Sequence, residues 1–296
     1  MSHTHHRPAS VASLNRAFGL GIALNVAFVA AEFAAGLWYG SMGLLSDAGH
    51  NLSDVVGLLL ALVAFRLAQV APNRRYTYGY KKSTVLISLL NSLLLLVAVG
   101  MIVAESIARL CRPVPVGGAA IAWTAGIGVA INGFTAWLFM KERSRDLNIR
   151  GAYLHMAADA LVSVGVVISG LAIRWTGWSP IDPIVGLLVS GAIVASVWSL
   201  LRDSLRLSLD GVPAGIDPER IEALIVAQEG VAGAHHLHIW ALSTTENALT
   251  AHVVVADITR LEAIKRCLKE RLRDEGIAHA TLEFESAESP CDAPGE

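Results

Sequence analysis

The sequence predicts an all-α membrane domain of six transmembrane helices, followed by a cytoplasmic α/β domain with element order α-β-β-α-β. Three observations lead there. The 296 residues are 54% hydrophobic and only 16% charged, whereas about a quarter of the residues in ordinary soluble domains are charged. Charge is also split along the chain: residues 1–208 hold 16 Lys/Arg and 9 Asp/Glu, a balance of +7, and residues 209–296 hold 7 and 16, a balance of −9. Finally, long apolar runs give way near Gly211 to short alternating and amphipathic stretches. The boundaries that follow are 1–16 for an N-terminal arm, 17–208 for the membrane domain, 209–286 for the second domain and 287–296 for a tail.

Six apolar segments reach the length of about 20 helical residues that a hydrocarbon core requires: 17–39, 43–68, 83–110, 118–140, 151–173 and 181–201. The first has no cleavage-site pattern and reads as a retained span, not a signal peptide. The connectors YGSMG, CRPVPVGG and WTGWSP mark one side; the longer APNRRYTYGYKK and KERSRDLNIR mark the other. Of the 16 basic residues, 13 fall on the side of the longer connectors, leaving only Arg109, Arg112 and Arg174 opposite. The positive-inside rule therefore makes both termini cytoplasmic in a multi-pass protein of the cytoplasmic membrane. Trp38, Trp175 and Trp178 then form an outer aromatic belt.

Beyond Gly211, DPERIEALIVAQEG starts with a proline in its first turn and reads as a helix. HHLHIWALS and ALTAHVVVAD alternate and pair around TTEN, TRLEAIKRCLKERLRDEG is a charged amphipathic helix, and AHATLEFES is a third strand. That order suggests a small open sheet with both helices on one face. Cys111, Cys267 and Cys291 form no C-x-x-C pair, so neither disulfides nor a thiolate zinc site are indicated.

Polar residues inside the spans carry the function. Each ionisable group at mid-bilayer costs about 2.5–3.5 kcal/mol on insertion scales. Yet span two holds Asp47, His50 and Asp54, and span five holds His155 and Asp159. Positions i and i+4 share a helix face, so His50/Asp54 and His155/Asp159 are two identical pairs of one imidazole and one carboxylate. One pair alone reads equally well as a hydrogen bond between helices. Two facing pairs supply four N/O ligands, the number a tetrahedral Zn²⁺ site takes, and the dication offsets the burial of two carboxylates. Asp47 is not assigned as a ligand: hydrogen bonding, lining a polar entrance and carrying a proton all remain open. Asn25 and Glu32 in span one can line the same cavity, and helix–helix hydrogen bonding is an equal reading for Asn25. Histidine binds metal only when neutral, with an unperturbed pKa near 6.5. Metal and protons therefore compete, and a site facing each side in turn exchanges one for the other.

At these residues the chain resembles the cation diffusion facilitator family, most closely its cobalt–zinc–cadmium efflux branch. GLLSDAGHNLSD, YTYGYKK, HMAADALVSVGVV, the Asp182–Pro183 pair and LHIWALSTTENALTAHVVV carry the resemblance, which spans nearly the whole chain. It implies a homodimeric six-span exporter that exchanges cytoplasmic divalent metal for protons. His50, Asp54, His155 and Asp159 would be its transport ligands, and residues 209–286 a metallochaperone-like, ferredoxin-like domain for metal binding and dimerisation. His at both first positions resembles the zinc-preferring members. The implied partners are membrane lipid, a second copy, protons and Zn²⁺, Cd²⁺ or Co²⁺ as cargo, with no prosthetic group and no nucleic acid. Some members bind metal in the loop between spans two and three; here that loop has no His or acid, so none is expected. In the tail, His235 and His252 match family ligand positions, and Glu283 and Glu285 fall where other members have His and Asp. His236, His238 and His279 can substitute. The three histidines of MSHTHH offer weak capture, or belong to a plain terminal arm.

Two rivals differ in class. A membrane metalloenzyme needs an open ligand position and a general base, typically in H-E-x-x-H, and that motif is absent. The expectation is therefore not an enzyme. A membrane metal sensor signalling through the C-terminal domain is the alternative, although a pure sensor needs no ligands at mid-membrane.

Overall fold

The computed structural model describes residues 11–39, 42–111, 118–144, 146–178 and 180–286. The N-terminal histidines, Arg7, Arg112, Arg145 and the tail 287–296 lie outside them. Six long helices come first: α1 (Val11–Tyr39), α2 (Met42–Leu67), α3 (Lys82–Cys111), α4 (Gly118–Phe139), α5 (Leu147–Thr176) and α6 (Ile181–Ser208). Asn15–Ala35, Lys82–Cys111 and Pro183–Ser208 are long and apolar enough to cross a membrane.

Helix α5 starts before the apolar run that predicts it. The Asp146 carboxylate caps it, accepting from the Asn148 and Ile149 N–H groups at 2.7 and 3.2 Å. Gly177 ends it in the left-handed region at φ 71°, its N–H donating to the Ile173 carbonyl at 2.8 Å. Helix α6 likewise outruns its apolar segment, reaching Ser208. Hydropathy marks where lipid begins, whereas helical hydrogen bonding continues through the charged residues beyond it.

The described residues within 11–67 and 87–201 make one compact unit. Within it α1 and α5 each pack against both α2 and α4. Phe18, Leu58, Phe139 and Met156, one from each of these helices, share a buried cluster, and the Phe18 and Phe139 rings are 4.8 Å apart. A second cluster joins α3 and α6 to α5 through Leu95, Val99, Ala158, Ile193 and Val197. Close packing and hydrogen bonds hold helices together where lipid supplies no hydrophobic contrast.

Residues 68–86 and those from 202 onward make the other unit. Helix α7 (Pro218–Val226) opens on Pro218 and is capped by Asp217, which accepts from Glu219 N at 3.1 Å. Strands β1 (Val231–Ala241) and β2 (Asn247–Val255) pair antiparallel, α8 (Leu261–Asp274) follows, and β3 (Ile277–Ser286) lies parallel to β2. The sheet order is β1-β2-β3. Side chains alternate across a strand, so Leu249, Ala251, Val253 and Val255 of β2 are buried with Ile221 and Ile225 of α7 and Ile264, Leu268 and Leu272 of α8. His252 falls on the opposite face.

The loop before α3 belongs to this second unit. Lys81 Nζ meets Glu246 Oε2 at 2.5 Å. Lys82 Nζ donates to Asp210 Oδ1 at 2.5 Å, Leu207 O at 2.8 Å and Ala241 O at 3.2 Å. Hydropathy marks this stretch only as a connector between two apolar segments.

Leu268 is fully buried at the centre of α8. Leu268→Ala is expected to destabilise the second unit by about 2–5 kcal/mol, and exposed Lys269→Ala to stay within about 0.5 kcal/mol. Calorimetric unfolding of the full chain in detergent measures both.

Candidate metal centre

Two groups of side chains have ligand atoms that all lie within 4.8 Å of one another among the described residues. One is Asp54, His155 and Asp159; the other is His235, His252 and Glu285.

The first group joins α2 and α5. His155 and Asp159 sit at i and i+4, with Nε2 to Oδ2 at 3.7 Å. Across the helix interface His155 Nε2 and Asp54 Oδ1 are 2.8 Å apart. That hydrogen bond needs a proton on one of the two groups. Asp54 is 1% exposed and His155 7%, so both sit where an unpaired charge is costly. Asp54 Oδ2 and His155 Nδ1 have no hydrogen-bond partner among the described residues. The three line a cavity of about 240 Å³, together with Gly57, Asn91 and the apolar Leu95, Val99 and Ile193. His50 stands one helical turn before Asp54 on α2. The side chains of His50 and Asp47 lie outside the described set.

The accessory residues of α1 lie apart from this cavity's lining. Asn25 Nδ2 donates to Gly21 O at 2.9 Å and meets Thr135 Oγ1 of α4 at 3.4 Å, which is helix–helix bonding. Glu32, 4% exposed, accepts from Asn51 Nδ2 at 2.6 Å. Asn91 carried no signal in the sequence. A single asparagine in an apolar helix has no spacing partner to mark it.

The second group is assembled by strand register. His235 pairs with His252 across β1 and β2, and His252 with Glu283 across β2 and β3. Glu285, two residues on, shares the face of Glu283. His252 Nδ1 lies 2.6 Å from Glu285 Oε1 and His235 Nε2 lies 3.3 Å from Glu285 Oε2. Glu283 is at the rim, its Oε2 3.5 Å from His252 Nε2 and its side chain 70% exposed. The register of β1 shifts between His235 and His238, and His236 there adopts φ 48°, a left-handed conformation uncommon outside glycine. Its ring centroid is 5.3 Å from that of His235 and 5.2 Å from that of His252. His238 is exposed. His279 instead faces Glu246, at 3.5 Å, and the Tyr78 ring.

Imidazole nitrogens and carboxylate oxygens in two groups are the donor set for Zn²⁺ and similar ions. Comparison with known proteins agrees. Residues 20–207 match a family described as "Cation efflux transmembrane domain", and residues 213–286 one described as "Cation efflux protein, cytoplasmic domain". The chain belongs to the cation diffusion facilitator family. Among its relatives in that family is the "Cadmium, cobalt and zinc/H(+)-K(+) antiporter" of Bacillus subtilis strain 168, 34% identical over 291 residues that cover 97% of this chain and 92% of the relative. The "Metal cation efflux system protein CzcD" of Cupriavidus metallidurans is 35% identical over 293 residues, 98% and 91% of the two chains. The "Zinc transporter ZitB" of Escherichia coli strain K12 is 35% identical over 300 residues, 99% and 95%.

Glu285 touches both histidines of the second group, so Glu285→Ala is expected to remove the metal equivalent held there. Zinc per chain, measured by elemental analysis of the full protein after equilibrium dialysis, is the test. The membrane group keeps its own equivalent.

Proposed function

We propose that the chain is a proton-coupled antiporter that exports divalent cations from the cytoplasm, Zn²⁺ foremost and Cd²⁺ and Co²⁺ with it, for metal homeostasis and resistance. The observation that carries this is the Asp54–His155–Asp159 group between two apolar helices, with Asp54 and His155 buried and Asp54 Oδ2 and His155 Nδ1 unmatched among the described residues. His50 completes a four-ligand transport site, one imidazole and one carboxylate from each of α2 and α5. The names of the relatives point to the same activity.

The mechanism follows from the shared proton. In the metal-free site His155 Nδ1 carries its own proton, and a second proton bridges His155 Nε2 and Asp54 Oδ1. A cation seated between these atoms takes both lone pairs, and the proton leaves. When the site faces outward, a proton re-enters between the same two atoms and displaces the cation. The bilayer core keeps the two states apart, because a dication without its carboxylates, or the carboxylates without a cation or protons, leaves uncompensated charge in a dry medium.

In this reading all six helices cross the membrane, residues 17–208 form the transport domain, and both termini are cytoplasmic. Residues 209–286 bind cytoplasmic metal at His235, His252 and Glu285, with Glu283 at the rim, and support a homodimer. Residues 1–16 and 287–296 are terminal arms. Asp47 and Glu32 are polar neighbours of the path and not ligands.

The test is metal uptake into proteoliposomes under an imposed pH gradient. Breaking a buried charged set costs about 3–5 kcal/mol, which corresponds to about 10²–4 × 10³-fold. Asp159→Asn should lower gradient-driven Zn²⁺ flux by that factor. Flux that survives in the variant would move the ligands elsewhere. A wild-type protein that binds Zn²⁺ and moves no metal would be a membrane sensor.

A further inference from the structure

Asn91 lies on α3, the helix that supplies none of the four transport ligands. It is 2% exposed, and neither Oδ1 nor Nδ2 has a hydrogen-bond partner among the described residues. The contrast with Asn25 is instructive, since that side chain finds a carbonyl and a hydroxyl on its own and a neighbouring helix. A buried amide left unbonded is destabilising, and more so in a bilayer core with no bulk water to satisfy it. Native structures rarely keep such a group unless water or a ligand meets it.

The surroundings indicate which. Asn91 lines the same cavity as Asp54, His155 and Asp159. Glycines on both ligand-bearing helices make room for it. A Cβ on Gly57 of α2 would stand 3.4 Å from Asn91 Oδ1 and 3.6 Å from His155 Nδ1, and a Cβ on Gly151 of α5 would stand 2.8 Å from Asn91 Nδ2. Gly57 is three residues after Asp54, and Gly151 four before His155. An alanine at Gly151 would force the carboxamide to move.

We propose that Asn91 is a cation-contacting residue of the transport site, whose Oδ1 accepts a hydrogen bond from water bound to the incoming divalent cation. This inference rests on the antiporter reading. The amide is neutral, so it receives a hydrated dication without adding to the two carboxylates that balance its charge. A hydrogen bond from water on a dication is charge-assisted and stronger than a neutral one. Asn91 therefore acts before the four ligands replace that water, and its effect lies on cation capture.

Zn²⁺ flux measured in proteoliposomes over a concentration series separates the possibilities. Asn91→Leu keeps the size and removes both polar atoms, and it is expected to raise KM for Zn²⁺ about tenfold or more, the weight of one hydrogen bond to a charged group, with kcat within about twofold. Asn91→Gln keeps a neutral carboxamide acceptor and is expected to hold KM below that of the leucine variant. Should the leucine variant fail to fold, Asn91→Ala serves in the same comparison. An unchanged KM in the leucine or alanine variant overturns the proposal, as does a fall in kcat alone. Asp159→Asn run alongside keeps the two readings apart: if it still transports, the antiporter site is misplaced, whereas if it is silent and KM of the Asn91 variants is unmoved, only the role of Asn91 fails.

Discussion

Everything in the membrane unit is arranged around a 2.8 Å contact between His155 on α5 and Asp54 on α2. Two carboxylates and an imidazole packed between apolar helices are tolerable only as a set, each needing the others or a cation to balance it. That need fixes which faces of α2 and α5 meet. Gly57 of α2 lies against the same contact, where a Cβ would stand 3.6 Å from His155 Nδ1. Apolar clusters flank the group on either side, Leu58 with Met156 and Leu95 with Ile193, and offer no competing ligand atom.

The same donor chemistry appears in the second unit on a different scaffold. There a three-stranded register aligns His235, His252 and Glu283, and the two-residue strand period brings in Glu285. His235, His252 and Glu285 are half-buried rather than encased, and Glu283 is exposed at the rim. A site of that kind equilibrates with ions in water, which suits sensing cytoplasmic metal. A site inside the bundle suits moving an ion between two compartments.

How much of this the sequence disclosed depends on the kind of signal. The four proposed transport ligands were legible because charged residues in apolar helices are expensive and because the i, i+4 spacing occurs twice. The β-hairpin was legible from alternation around TTEN. What escaped has no periodic mark. The ends of α5 are set by Asp146 and Gly177, whose roles depend on backbone angles and not on hydropathy. His236 looks like any neighbour of His235 until φ 48° shows it on a bulge. Lys81 and Lys82 read as topological charges, although in the fold they hold Glu246 and Asp210. Asn91 carries a role only through what surrounds it.

The central claim is that metal and proton compete for the same two atoms, His155 Nε2 and Asp54 Oδ1. Proton release on Zn²⁺ binding, followed in weakly buffered detergent solution with the C-terminal group silenced by Glu285→Ala, tests it most directly. The account predicts that binding at the membrane site acidifies the solution, and that Zn²⁺ affinity falls as pH is lowered. Zn²⁺ binding at that site with no proton release and a pH-independent affinity would contradict it.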